Sequence, residues 1–258
     1  MFSLREWRRR RLLRQFPLAD DLWSRVTAGL PVLEDLTAQE RDHLRALATI
    51  FLQEKAFEPV QGLELTPDMR LCIAVQASLP ILHLGLDWLR GWSAVIVYPG
   101  EFVHRREDVD EAGVVHEWDE VRSGESWEYG PVILSWADIE ASGRRDGYNV
   151  VIHELVHKLD MLNGEPNGFP PLPRRMDARE WHRVFSAAFD DLNRRLDAGE
   201  QTALDPYAAE HPAEFFAVLS EYFFEIPRLV QDTYPAVYGQ LKAFYRQDPL
   251  QRRLGPQL

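Results

Sequence analysis

The sequence predicts an α+β fold: helices first, a small sheet in the middle, then helices again. Three observations predict it. Apolar residues recur at helical spacing up to about residue 79 and again from about residue 148. The stretch between them is β-branched, short-phased and broken by Pro99-Gly100 and Gly130-Pro131. No internal repeat or low-complexity linker divides the 258 residues, a length that can bury one sizeable core.

The elements follow in order. Residues 3 to 14 read as a short basic helix stopped by Pro17: a solvated surface helix or, with Trp7, Leu12 and Leu13 as an apolar stripe, an interfacial or partner-binding one. Asp20 to Ala28 is helical, and Gly29 and Pro31 then break the chain. Thr37-Ala38-Gln39-Glu40 has the form of a capping box. It opens a helix to about Gln53 with Leu44, Leu47, Ala48 and Phe51 on the core face. Phe57 to Val60 is a short strand. Thr66-Pro67 starts a helix that contains Cys72 and ends before Pro80. Strands are expected at Trp92–Tyr98, Val114–Val121 and Gly130–Trp136.

The next helix, about Tyr148 to Leu162, carries His153-Glu154-Leu155-Val156-His157 and ends near Asn163-Gly164. A Pro/Gly-rich loop spans Glu165 to Arg175. A long helix follows from Ala178 to Leu196, with Trp181, Val184, Phe185, Ala188, Phe189 and Leu192 as its apolar face. His211-Pro212 opens a helix to about Phe224, and the last helix runs from Tyr234 to Arg246.

Composition narrows the function classes. The formal net charge of -12 argues against a general nucleic-acid binder. No apolar run approaches the roughly 20 residues of a membrane span. No secretory signal is visible, and the single cysteine, Cys72, lies in an apolar stretch and reads as a small buried hydrophobe. A chain with one cysteine forms no internal disulfide, which suits the cytoplasm.

The chemistry is concentrated in the His-Glu-x-x-His stretch. Four residues apart on a helix, His153 and His157 lie on one face, one turn above the other. Two neutral imidazoles so placed share a small cation such as zinc, with Glu154 beside them to take a proton from water. Ionisable groups in an apolar helical run are costly to bury without partners. A catalytic zinc takes three protein ligands and keeps a fourth position open. The positions that would carry a further Gly and His, three and six residues past His157, hold Asp160 and Asn163, so a downstream carboxylate is favoured. Glu165, Asp177, Glu180, Asp205, Glu210, Glu214 and Glu221 are the candidates. Spacing favours Glu214 over Glu221 without deciding between them. Asp160, three residues after His157, and Glu221 are candidate acceptors for the second nitrogen of a ligating imidazole.

His153 to Asp160, Asp205-Pro206-Tyr207 and Ala213 to Phe224 together resemble the Mlc titration factor A family of bacterial zinc peptidases. Val95-Ile96-Val97-Tyr98-Pro99 also resembles a strand of that family, and the likeness is weakest before about residue 60. The resemblance implies a gluzincin-like zinc peptidase core, similar to the anthrax lethal factor protease domain. Its small mixed sheet would pack on the motif helix and the C-terminal helices. Residues 1–65 would be a helical N-terminal subregion and residues 66–258 the catalytic core. The resemblance further implies one zinc per chain on His153, His157 and Glu214, with Glu154 as general base and Tyr207 as a hydrogen-bond donor to the oxyanion. The implied activity is peptide-bond hydrolysis, including aminopeptidase cleavage, on a peptide or protein substrate. A substrate chain would pair with the Val132–Trp136 strand edge. Relatives bind the glucose-responsive repressor Mlc, so an Mlc-like repressor is the implied protein partner.

Overall fold

The computed structural model describes residues 4–100 and 130–254. The strand expected at Val114–Val121 lies outside them. Three helices open the chain: α1 (Leu4–Gln15), α2 (Asp20–Ala28) and α3 (Ala38–Glu54). The Thr37 hydroxyl accepts from Glu40 N–H and the Glu40 carboxylate from Thr37 N–H, so the capping box forms as read. Leu13 of α1 packs on the core, but Trp7 is 55% exposed and does not join an apolar stripe.

Strand β1 (Ala56–Pro59), helix α4 (Pro67–Ser78) and strand β2 (Ala94–Tyr98) follow, and β3 (Val132–Ser135) completes the described sheet in the order β1-β2-β3. Both pairings are parallel, with Phe57 opposite Val95 and Val95 opposite Val132. Among the described residues this corrects the expected mixed sheet. The reason is topological: the connection from β1 returns through α4, and a strand reached through a helical crossover runs parallel to the one it left. Val95, Val97, Val132 and Leu134 are buried, so alternate residues point into the core.

Helix α5 (Trp136–Ala141) leads into α6 (Val150–Asp160), the motif helix, which is two residues shorter at each end than the apolar pattern suggests. The run from Met161 to Asn163 tightens into a 3-10 turn. Helices α7 (Ala178–Asp197), α8 (Pro212–Glu225) and α10 (Pro235–Tyr245) are as expected, while α9 (Pro227–Thr233) and α11 (Pro249–Leu254) are additional. Each of these additional helices begins on a proline, which ends one helix and starts the next.

Helix α6 packs against α8, α4 and β3. Behind α8 an aromatic block fills the space to α7 and α10: Trp181 stacks on Phe185 at 4.2 Å, and Phe216 meets Trp181 and Phe244 edge-on. Burying each such ring contributes about 2–3 kcal/mol, which makes this block the rigid backing of the site. One apolar cluster runs from Leu30 to Tyr245, so residues before and after 65 share a core. Cys72 is half-buried rather than buried, receives Gln76 Nε2 at 3.4 Å, and burial pushes its thiol up to about 11.

Candidate metal centre

The site grows from the first turns of two helices. Asn149 caps α6, its Oδ1 accepting from Ile152 N–H at 3.0 Å. His153 and His157 then project one turn apart, with ring centroids 4.7 Å apart and planes at 78°. Helix α8 starts at Pro212, capped by His211 Nδ1, which accepts from Ala213 N–H. Glu214 therefore stands in a first turn, where the helix dipole favours a carboxylate.

The two helices cross so that these groups meet. His153 Nε2 lies 3.1 Å from Glu214 Oε2 and 3.1 Å from His157 Nε2, and His157 Nε2 lies 3.4 Å from the same Glu214 oxygen. Among the described residues this trio is the cluster of His, Cys, Asp and Glu suited to hold a metal ion. The side chains are largely shielded, with relative exposures of 13%, 14% and 20%.

His153 Nδ1 is 2.7 Å from Glu221 Oε1, and a carboxylate accepts, so the proton sits on Nδ1. His153 Nε2 then faces Glu214 Oε2 and His157 Nε2. Two imidazole nitrogens and a carboxylate oxygen thus converge on one point, a donor set suited to a cation. Ligand atoms about 2.1 Å from a tetrahedral ion lie roughly 3.3–3.4 Å apart. The observed spacings fit that requirement. In the protein alone, burial of His153 is outweighed by Glu214 and Glu221, which raise the ring to about 10. Burial would likewise raise Glu214, but His153 and His157 hold it well below the usual carboxylate range.

Glu154 shares a cleft of ≈ 540 Å³ with His153. Ser135, Asp138, Tyr207, Glu221 and Tyr222 also line it. Tyr207 stands on a 3-10 turn (Pro206–Ala209) that Asp205 caps, its Oδ1 accepting from Tyr207 N–H at 2.9 Å. The Asp205 N–H donates to the Tyr222 hydroxyl at 3.2 Å, which ties the turn to α8. The Tyr207 ring is 6.1 Å from that of His153 and 42% exposed, so it faces the cleft. Burial and the nearby Glu214 carboxylate keep the phenol protonated by raising it above its ordinary value.

The two candidate acceptors part company. Glu221 reaches His153. Asp160 is buried, and its Oδ2 accepts the N–H groups of Asn167 and Gly168, holding the Pro/Gly-rich loop. Burial raises its carboxyl against the opposing pull of those N–H groups and of His157, and among the described residues it makes no hydrogen bond to either ring. The other carboxylates read from spacing have different employment: Asp177 caps α7, Glu180 pairs with Arg183, Asp205 caps the 3-10 turn and Glu165 is exposed. Sequence reading missed Asn149, Gln76 and Glu225: Asn149 N–H donates to Glu221, and its Nδ2 to Gln76 and Glu225. Gln76, a polar residue inside the apolar run of α4, was the signal.

Comparison with known proteins places these residues in company. The family model described as Glucose-regulated metallo-peptidase M90 matches residues 4–246. Proteins named Mlc titration factor A from Yersinia pestis strain Pestoides F and Yersinia pseudotuberculosis strain YPIII are each 45% identical over 227 residues, covering 87% of this chain and 84% of theirs.

Proposed function

Because the chain belongs to the glucose-regulated metallo-peptidase M90 family, we propose that it is a zinc-dependent peptidase in which His153, His157 and Glu214 hold the ion. The observation that carries this reading is the convergence of three candidate ligand atoms, within 4.8 Å of one another, beside Glu154 in an open cleft. The reading takes residues 66–258 as the catalytic core, of gluzincin type, with residues 1–65 as a largely helical subregion that adds β1 to its sheet.

Bound there, zinc would acidify a water molecule and polarise a carbonyl. The chain's own groups do the rest. Glu154 accepts the proton of the attacking water and passes it to the departing amine nitrogen. The Tyr207 hydroxyl donates to the carbonyl oxygen as charge develops there. Glu221 fixes the His153 tautomer. Ile133 and Ser135 of β3 line the cleft, and β3 is the outer strand among the described residues, so its edge can pair with an extended substrate backbone. A free amino terminus on the substrate would make the cleavage an aminopeptidase reaction.

The test is direct. Purified protein, stripped with a chelator and reloaded, should regain hydrolysis of aminoacyl and short-peptide substrates with one zinc per chain. Glu154→Gln should retain the zinc and lose roughly 10²–10⁴-fold in kcat. Full activity in Glu154→Gln would remove this mechanism.

A second reading is supported by the relatives' name, which presents them as titrating Mlc. On it, the chain binds a transcriptional repressor of the Mlc kind, with peptidase action secondary. Purified Mlc-type repressor and this chain should co-elute on gel filtration, and separate elution at micromolar concentrations would remove the reading. No described helix is long and apolar enough to cross a membrane. The single, unpaired Cys72 supports placement in the reducing cytoplasm.

A further inference from the structure

The cap of the motif helix makes more bonds than a cap requires. Asn149 is wholly buried. Its Oδ1 closes the helix end on Ile152 N–H, a task serine or aspartate performs equally well. Its Nδ2, however, donates to Gln76 Oε1 and to Glu225 Oε1, both at 2.9 Å. Its backbone N–H donates to Glu221 Oε2 at 2.6 Å. One residue therefore ties α4, α6 and α8 together, and among capping side chains only an amide can accept at the cap and donate two bonds at once.

Those bonds end at the metal site. Glu221 and Glu225 stand one turn apart on α8, both buried, and each carboxylate raises the other's cost of ionisation. They are held by donors: Asn149 N–H and His153 Nδ1–H on Glu221, and Asn149 Nδ2 with Arg145 N–H on Glu225. Release of Glu225 would free this turn of α8 to shift against the first turn of α6. His153 would follow, because among the described residues its Nδ1 is held by Glu221.

We propose that Asn149 is a positioning residue for the metal centre: bridging Gln76 and Glu225 while binding Glu221, it sets the acceptor that aims His153 Nε2 at His157 and Glu214. This rests on the reading of those three residues as ligands. The proposal makes a specific demand on hydrogen-bond polarity. N149D keeps the size and the cap, and places an acceptor against Gln76 Oε1 and Glu225 Oε1. Adding E225Q reverses the bond: the new amide donates to the aspartate while its carbonyl still accepts from Arg145 N–H.

The experiment measures zinc affinity of the full chain by competition with a chromophoric chelator, alongside the unfolding temperature of the zinc-free protein. N149D should bind zinc roughly ten-fold more weakly, at the low end of what disturbing an outer partner of a ligating histidine costs. N149D/E225Q should return to within a few-fold of wild type. N149S, which keeps the cap and drops the Nδ2 donors, should also weaken binding and carries the test if N149D does not fold. Wild-type affinity in the folded N149D and N149S proteins overturns the proposal. So does a weakening that E225Q fails to reverse, since that marks general destabilisation. Failure of the ligand reading looks different: wild type itself would hold no stoichiometric zinc, or H157A would bind it equally well.

Discussion

Glu221 Oε1 lies 2.7 Å from His153 Nδ1, while the opposite nitrogen of the same ring faces Glu214 Oε2 at 3.1 Å. One imidazole is thus gripped by two carboxylates of one helix, seven residues apart, and only one of them stands where a cation would sit. In Glu221→Gln, an amide oxygen turned toward Nδ1 leaves its NH2 group against Asn149 N–H, so one donor goes unpaired. Zinc affinity should fall roughly 10–100-fold, with hydrolysis restored at high zinc. An unchanged dissociation constant would remove Glu221 from this role.

Tyr207 faces the cleft with its phenol held protonated. Tyr207→Phe removes a donor and little else. The expected result is a fall of roughly 10²-fold in kcat with KM and zinc content unchanged, read from steady-state kinetics on one peptide substrate. A rise in KM alone would make Tyr207 a binding group instead.

Gly168 adopts φ +77°, and a Cβ there would stand 2.5 Å from the Pro212 carbonyl oxygen at the start of α8. Its N–H donates to Asp160 Oδ2 at 2.6 Å and its carbonyl accepts from Trp181 Nε1 at 3.0 Å. Gly168→Ala should cost on the order of 1–3 kcal/mol, seen as a lowered urea midpoint. A stability within error of wild type would show that the loop relaxes freely.

Glu40 joins the start of α3 to the C-terminal end of the chain through Arg252, with Nε of the guanidinium at 3.0 Å. Burial would raise this carboxyl, but Thr37 N–H and Arg252 outweigh it and lower it to about 2. The sign follows: a depressed acid stabilises the fold above its unfolded value of about 4.5, and the contribution fades as pH falls toward 2. Glu40→Gln should cost about 2 kcal/mol at pH 6, after discounting for solvent screening, and little at pH 2. Denaturant melts at both pH values check it, and a pH-independent difference would contradict it.

Much of the fold was legible in the chain. The capping box at Thr37, the prolines that start helices and the apolar period of α6, α7 and α8 are local signals, and the structure follows them. The pentapeptide from His153 to His157 was equally local, because helical geometry alone puts the two rings on one face. The direction of the strands was not legible, since pairing depends on how connections travel rather than on strand composition. Asp160 had the right spacing for His157 and went instead to the backbone of Asn167 and Gly168.

Local chain chemistry sets the donor types and the helices that present them. Which distant carboxylate takes which task follows from how those helices pack. Glu214 and Glu221 have the same chemistry and lie on one helix. The crossing of α6 and α8 sends the first to Nε2 of His153 and the second to Nδ1, and it buries the second against Asn149, which Gln76 and Glu225 hold in turn. Crossing geometry arises from packing across many side chains at once, and no spacing within a single helix encodes it.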